Sequence, residues 1–363
     1  MVQQGQKRDS VRSENMRFGS FLELPRTEGV TSTQAYEHTF AHVDMAEELG
    51  LDTICLAEFH FTPNRVISSP LMLGAAIAGR TKRIRVATSV LVLPLTNPLR
   101  VAEETATLDN ISGGRFEFGV GRSGFQIAYD GYGISYTESR DRFSEALEVI
   151  VKAWTNEKFS YDGQYYTYND VCLVPKPIQS PHPIIRIAAT SNDTFPANGR
   201  MGYPLLVGLR TVPLAQVTEQ VGSYKTAYEE SAHAAPMDVS LRVPVYIAET
   251  KEAAINEPEK SFMRQTARLK SQLSGSTSEL SAADAKVRAE RLKSLSDITW
   301  EDVRREKVIV GTPEMVIEQL KELQEALHLT EVVAEFNAGE QIPPERIERS
   351  LRLFCEKVMP AFK

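Results

Sequence analysis

Short runs of β-branched and other apolar residues alternate along the chain with longer segments whose apolar positions recur every three or four residues. Eight runs read as strands: Arg17–Leu22, Thr53–Ala57, Ile84–Val90, Phe116–Val120, Ile184–Ala188, Leu205–Gly208, Arg242–Ile247 and Glu331–Phe336. Each carries few charges, as expected of a strand covered on both faces. Between them, Thr33–Leu49 has helical spacing, and Arg140–Trp154 aligns Phe143, Leu147 and Ile150 on one face. Alternation of this kind predicts parallel strands joined by crossover helices. The expected fold is α/β, a (β/α)8 TIM-type barrel whose active site lies at the strands' C-terminal ends.

Two segments interrupt the rhythm and read as insertions. Phe159–Leu173 has the pattern of a β-hairpin before strand five, with Asp162-Gly163 as its turn and Tyr165, Tyr166 and Tyr168 beyond it. Residues 251–306, after strand seven, are rich in Lys, Glu, Ser and Ala up to Thr299, with Phe262 the only aromatic residue in that stretch, so they can add little to the barrel core. Leaving the catalytic rim, this excursion is either a lid or a solvated helical decoration. Residues 1–15 are polar and read as a disordered leader, and 16–363 as one domain.

Composition narrows the class. The formal net charge is -7, and no basic stripe offsets it, so nucleic acid is not an expected partner. Cys55, Cys172 and Cys355 lack the spacing of a metal site and are too few for a disulfide framework, which points to a cytoplasmic protein. The start lacks the apolar stretch of a signal peptide. The most apolar run, Val86–Leu95, is too short to span a membrane.

Three clusters at predicted strand ends can carry chemistry. Gly119-Val120-Gly121-Arg122-Ser123-Gly124 matches a dinucleotide fingerprint literally. It lacks the helix and acidic residue that such a fold requires, the next helix being expected only near Glu138. Its glycines let the backbone pass close to a planar ligand with Arg122 facing an anion, or simply form a tight turn. Ala189 to Thr194 lies where strand five ends: Ser191 and Thr194 either cap a helix or, with its amide groups, hold an anion. The anion reading gains from Arg122 on the neighbouring strand and from Arg140, a cation set unfavourably in the first turn of a helix. Glu58-Phe59-His60-Phe61 follows strand two; His60 is either an acid–base group there or a structural histidine paired with Glu58.

These residues, in this order, resemble the bacterial luciferase-like, flavin-dependent monooxygenases. The resemblance rests on Leu51 to Thr53 through Phe61, Val86 to Thr88 through Pro94, Gly114 to Arg122, Glu138 to Arg140, and Gly311-Thr312-Pro313 opening a late helix. It implies a two-component monooxygenase in which a separate flavin reductase supplies reduced FMN. Dioxygen then forms a C4a-(hydro)peroxyflavin that oxygenates a small organic substrate. It further implies that Arg122, Arg140, Ser191 and Thr194 bind the flavin phosphate, and that Ser89-Val90 is a non-proline cis peptide beneath the flavin ring. His60, oriented by Glu58, would be the catalytic polar group. Phe59, Phe61 and Phe125 would shape the substrate pocket, Gly121 would leave room beside the flavin, and the protein would be a homodimer. The luciferases carry a histidine where this chain has Phe59, which argues against light emission. The alternatives are an F420-dependent oxidoreductase on the same barrel and a non-catalytic flavin-binding protein.

Overall fold

The structure, a computed structural model, describes residues 15–274, 280 and 282–363. Most of the proposed leader therefore lies outside the described residues. The described residues form twelve strands: β1 (Arg17–Leu22), β2 (Thr53–Leu56), β3 (Arg85–Thr88), β4 (Leu91–Val92), β5 (Phe116–Gly121), β6 (Phe159–Asp162), β7 (Thr167–Val171), β8 (Ile184–Ala188), β9 (Leu205–Gly208), β10 (Val239–Ile247), β11 (Ile309–Gly311) and β12 (Glu331–Glu335). Parallel pairing runs β1-β2-β3-β5-β8-β9-β10-β12, and β12 returns to β1, so the eight strands read from sequence close into a barrel. The short β4 and β11 pair with β5 and β10 at its margin. No helix among the described residues is long and apolar enough to cross a membrane.

Helices cover the outside for reasons visible in the sequence. Thr31 and Gln34 form a reciprocal capping box before the helix Ser32–Glu48. Asn97 caps, and Pro98 opens, the helix Pro98–Ser112, which Gly113 ends in the left-handed conformation at φ 65°. Trp154, on the helix Ser139–Thr155, is buried against Phe118 and donates its indole N–H to the Ala102 carbonyl at 3.1 Å. The last strand closes over Phe18, which meets Phe354 and Phe362 edge to face.

The barrel interior is ionic at its base. Arg17 on β1 reaches Glu117 on β5 at 2.7 Å, and Arg186 on β8 lies 3.6 Å from Glu331 on β12. Those strands are not neighbours, so the pairs pass through the interior. Arg85 and Asp238 complete this plug. The few charges on the strands thus point into the barrel, satisfied by one another.

Several sequence expectations need correction. The third strand stops at Thr88, and the chain resumes pairing only in β4, because the Ser89-Val90 peptide intervenes. The hairpin forms, but Asp162 pairs with Thr167 inside its ladder, so the connecting loop is Gly163 to Tyr166 and not Asp162-Gly163. The aromatic stretch after the Gly-rich loop holds a short helix, Gln126–Tyr132, before the expected one. The 251–306 insertion has a small core of its own: Phe262 is fully buried with Tyr246, Ala254, Val303, Val308 and Ala338. Its helix Ala282–Ser294 reaches the barrel mouth, where Arg291 donates to the Thr190 carbonyl at 2.7 Å and Ser294 to that of Thr211 at 2.9 Å.

Candidate active site

The four residues expected to hold a phosphate lie on the segments that follow β5 and β8, Arg140 and Thr194 in the first turns of helices. Arg122 follows β5 and donates from Nη1 to the Ser139 hydroxyl at 3.2 Å; its carbonyl accepts the buried Tyr129 hydroxyl. The neighbouring Arg140 pairs with Asp193, beyond β8. This bond raises the Arg140 pKa and lowers that of Asp193. On either side of Asp193, the Ser191 and Thr194 hydroxyls lie 2.6 Å apart at the start of the helix Thr194–Met201, where Asp193 provides no side-chain cap. Asp284 of the insertion stands 3.9 Å from Arg122 Nη2. Arg291 joins the cluster beside Thr190, a contribution sequence reasoning missed. Burial, aided by the charge of Arg122, lowers its pKa.

Before Arg122, β5 carries Gly119 and Gly121 against the Thr88 to Val90 segment. The Ser89-Val90 peptide is cis, as the resemblance implied. Ser89 donates its amide to the Leu56 carbonyl at 2.7 Å, while its buried hydroxyl has no partner among the described residues. A side chain on Gly119 would collide with the Thr88 carbonyl oxygen. At Gly121 a Cβ would stand 2.8 Å from Val90 Cγ2, so Val90 already occupies the space that this glycine was expected to leave for substrate.

Glu58 and His60 form the expected pair, with His60 Nε2 2.6 Å from Glu58 Oε1. The other carboxylate oxygen accepts the Val92 amide at 2.9 Å, and His60 Nδ1 lies 3.2 Å from the Tyr132 hydroxyl. The pair faces a cavity of about 140 Å³ lined by Pro70, Leu71, Leu95 and Val101, between the barrel wall and the covering helices. Between Glu58 and His60, past the end of β2, Phe59 takes a different side and packs on Phe125 at 5.5 Å, under the guanidinium of Arg65. Phe61 does not join these rings. It is 54% exposed and lies against Tyr132 and the backbone of Gly131.

The opposite side of the mouth holds charges that sequence reasoning did not single out. Glu23, just past β1, accepts Arg65 at 2.6 Å and Arg242 at 2.7 Å; Arg242 also reaches Glu335 at 2.8 Å and covers the Phe21 ring. Arg210, two residues past β9, lies 3.5 Å from Glu23. Glu23, Glu335 and Arg210 sit at or just past strand C-terminal ends, and that position was the available signal.

The sequence model of the family described as "Luciferase-like monooxygenase" matches residues 16–329. The chain belongs to this family. Among its relatives is the oxygenase component of the flavin-dependent trigonelline monooxygenase of Acinetobacter baylyi, 25% identical over 353 residues, covering 96% of each chain. Monooxygenase RslO1 from Streptomyces bottropensis is 25% identical and superposes with a TM-score of 0.80 over 96% of this chain and 100% of that one. The oxygenating constituent of 3,6-diketocamphane monooxygenase from Pseudomonas putida, solved with FMN, shares the fold at 20% identity and a TM-score of 0.80, over 95% of this chain and 98% of that one. This luciferase-like protein is thus related to flavin-dependent oxygenases along nearly its whole length.

Proposed function

We propose that this luciferase-like protein is the oxygenase component of a two-component monooxygenase, binding reduced FMN delivered by a separate reductase and using dioxygen to oxygenate a small organic substrate. The observation that carries the reading is the convergence of Arg122, Arg140, Ser191 and Thr194 beside a glycine-lined wall. The present residues suit FMN: two guanidiniums and two hydroxyls match a phosphate ester, and the Ser89 hydroxyl, partnerless among the described residues, and the Gly119–Gly121 backbone suit a flat ring.

When bound, reduced FMN supplies the electrons and the oxygen chemistry. Arg122 and Arg140 would neutralise the phosphate, Arg140 exchanging Asp193 for the ester. Phe59 and Phe125 form an apolar wall that excludes water, and the insertion covers the mouth from above. Glu58 and His60 act as positioning residues: the carboxylate tethers Val92, two residues beyond the Ser89-Val90 peptide, and His60 holds that carboxylate in place.

The test supplies NADH, an unrelated flavin reductase, FMN and ¹⁸O₂ with a panel of small organic acids, ketones and amines, and follows oxygen incorporation by mass spectrometry. Label entering one product class is expected. Turnover with reduced F420 in the absence of oxygen would favour the deazaflavin alternative. Flavin binding without product would leave a flavin-binding protein.

A further inference from the structure

Among the described residues, one cluster at the mouth holds more guanidiniums than carboxylates. Arg65, Arg210, Arg242 and Arg268 face Glu23, Glu335 and Glu340, four guanidiniums against three carboxylates. The shortfall falls on one residue. Glu340 takes both nitrogens of Arg268, at 2.6 and 2.8 Å. Glu335 spends one oxygen on Arg242 and the other on Gln265 at 2.7 Å. Glu23 accepts Arg65 on one oxygen and Arg242 on the other, at 2.6 and 2.7 Å.

Arg210 is left with a single contact among the described residues, 3.5 Å to the oxygen of Glu23 that Arg242 already occupies. Its Nε is sealed from solvent without a hydrogen-bond partner, and 16% of the side chain remains exposed. Arg210 lies two residues past the C-terminal end of β9, the mouth end of the barrel, and reaches Glu23 just past β1. Burial and the charge of Arg242 lower its pKa to about 10, so it is still cationic at neutral pH. A buried guanidinium with unused donors is costly unless an anion completes it.

We propose that Arg210 anchors a carboxylate of the organic substrate, so that this oxygenase acts on organic acids. The assignment rests on the flavin oxygenase reading for what happens next to that carboxylate, but not for the anion site itself. The phosphate patch lies on the segments that follow β5 and β8, while the one partner of Arg210 among the described residues, Glu23, lies past β1 and is shared with Arg242 of β10. One pole of the mouth therefore holds the cofactor's anion and the other the substrate's.

Calorimetric titration with benzoate and its neutral isostere benzamide tests this, on the wild-type protein with and without bound FMN. Benzoate should bind about 10-fold more tightly or better, as one charged hydrogen-bonded pair implies. R210Q should lose that preference while retaining wild-type affinity for FMN, and R210K should keep part of the preference. Equal binding of the two probes by wild type, no benzoate binding at millimolar concentration, or a preference that survives R210Q would overturn the proposal. So would a parallel loss of FMN affinity in R210Q, which would assign Arg210 to the cofactor. Should wild type discriminate the probes yet fail to bind FMN, the cofactor reading falls and the anion site stands.

Discussion

Arg17 and Glu117 meet inside the barrel at 2.7 Å, joining two strands that β2 and β3 keep apart. Glu117 is 1% exposed and also faces Arg85 and Arg186. Burial by itself would raise its pKa; the charges of Arg17, Arg186 and Arg85 outweigh burial and hold it well below the usual carboxylate range. The group is therefore ionised more readily in the folded chain than in the unfolded one. Its contribution to stability is present above the unfolded pKa and lost as pH falls below it. Urea unfolding should show stability declining from about pH 5 downward, near the ordinary carboxylate range. Glu117→Gln should cost about 3–5 kcal/mol at pH 7 by leaving the arginines uncompensated, and should flatten that decline. An unchanged acid limb in the variant would remove Glu117 from the account.

Arg122→Ala should weaken FMN binding by about 1.5–3 kcal/mol, the value of a charged hydrogen bond to phosphate. Fluorescence titration measures it directly. Riboflavin, which lacks the phosphate, should bind wild type and variant alike, and a similar loss for both ligands would contradict the assignment.

Positioning by His60 differs from proton transfer in its pH signature. His60→Gln should lower kcat, while the pH profile of kcat keeps its wild-type shape. Disappearance of one limb would instead make His60 the acid–base group suggested by the family resemblance. Glu58→Gln should lower the thermal midpoint, because the Val92 amide would lose a charged acceptor.

The two glycines of the wall should respond unequally. Gly119→Ala places a methyl against the Thr88 backbone, which has nowhere to go, whereas Gly121→Ala meets a Val90 methyl group. Overpacking of this kind costs about 1–3 kcal/mol. Gly119→Ala belongs at or beyond the upper end, and chemical denaturation should rank it below Gly121→Ala in stability. The reverse ranking would show that the wall does not pack as described.

Much of this was legible in the sequence because strand periodicity and Gly-rich strand ends are local signals. All eight barrel strands were found, and the contact between Arg140 and Asp193 joins the two segments that were expected to meet, since they follow adjacent strands. The direction of Glu58 and His60 was not legible. It depends on the side that Phe59 takes, decided by packing against Phe125 and Arg65 from elsewhere in the chain. The ionic interior escaped notice for a related reason. Arg17, Glu117, Arg186 and Glu331 are isolated charges within apolar strands, and only closure of the barrel brings them together. The core of the insertion likewise depends on Tyr246 and Ala338, remote from Phe262 in sequence.

The most direct test of the cofactor assignment is a crystal structure of the protein with FMN. The phosphate should lie within hydrogen-bond reach of Arg122, Arg140, Ser191 and Thr194, with the ring beside the Ser89-Val90 peptide. FMN bound elsewhere, or a phosphate held by none of these side chains, would contradict it.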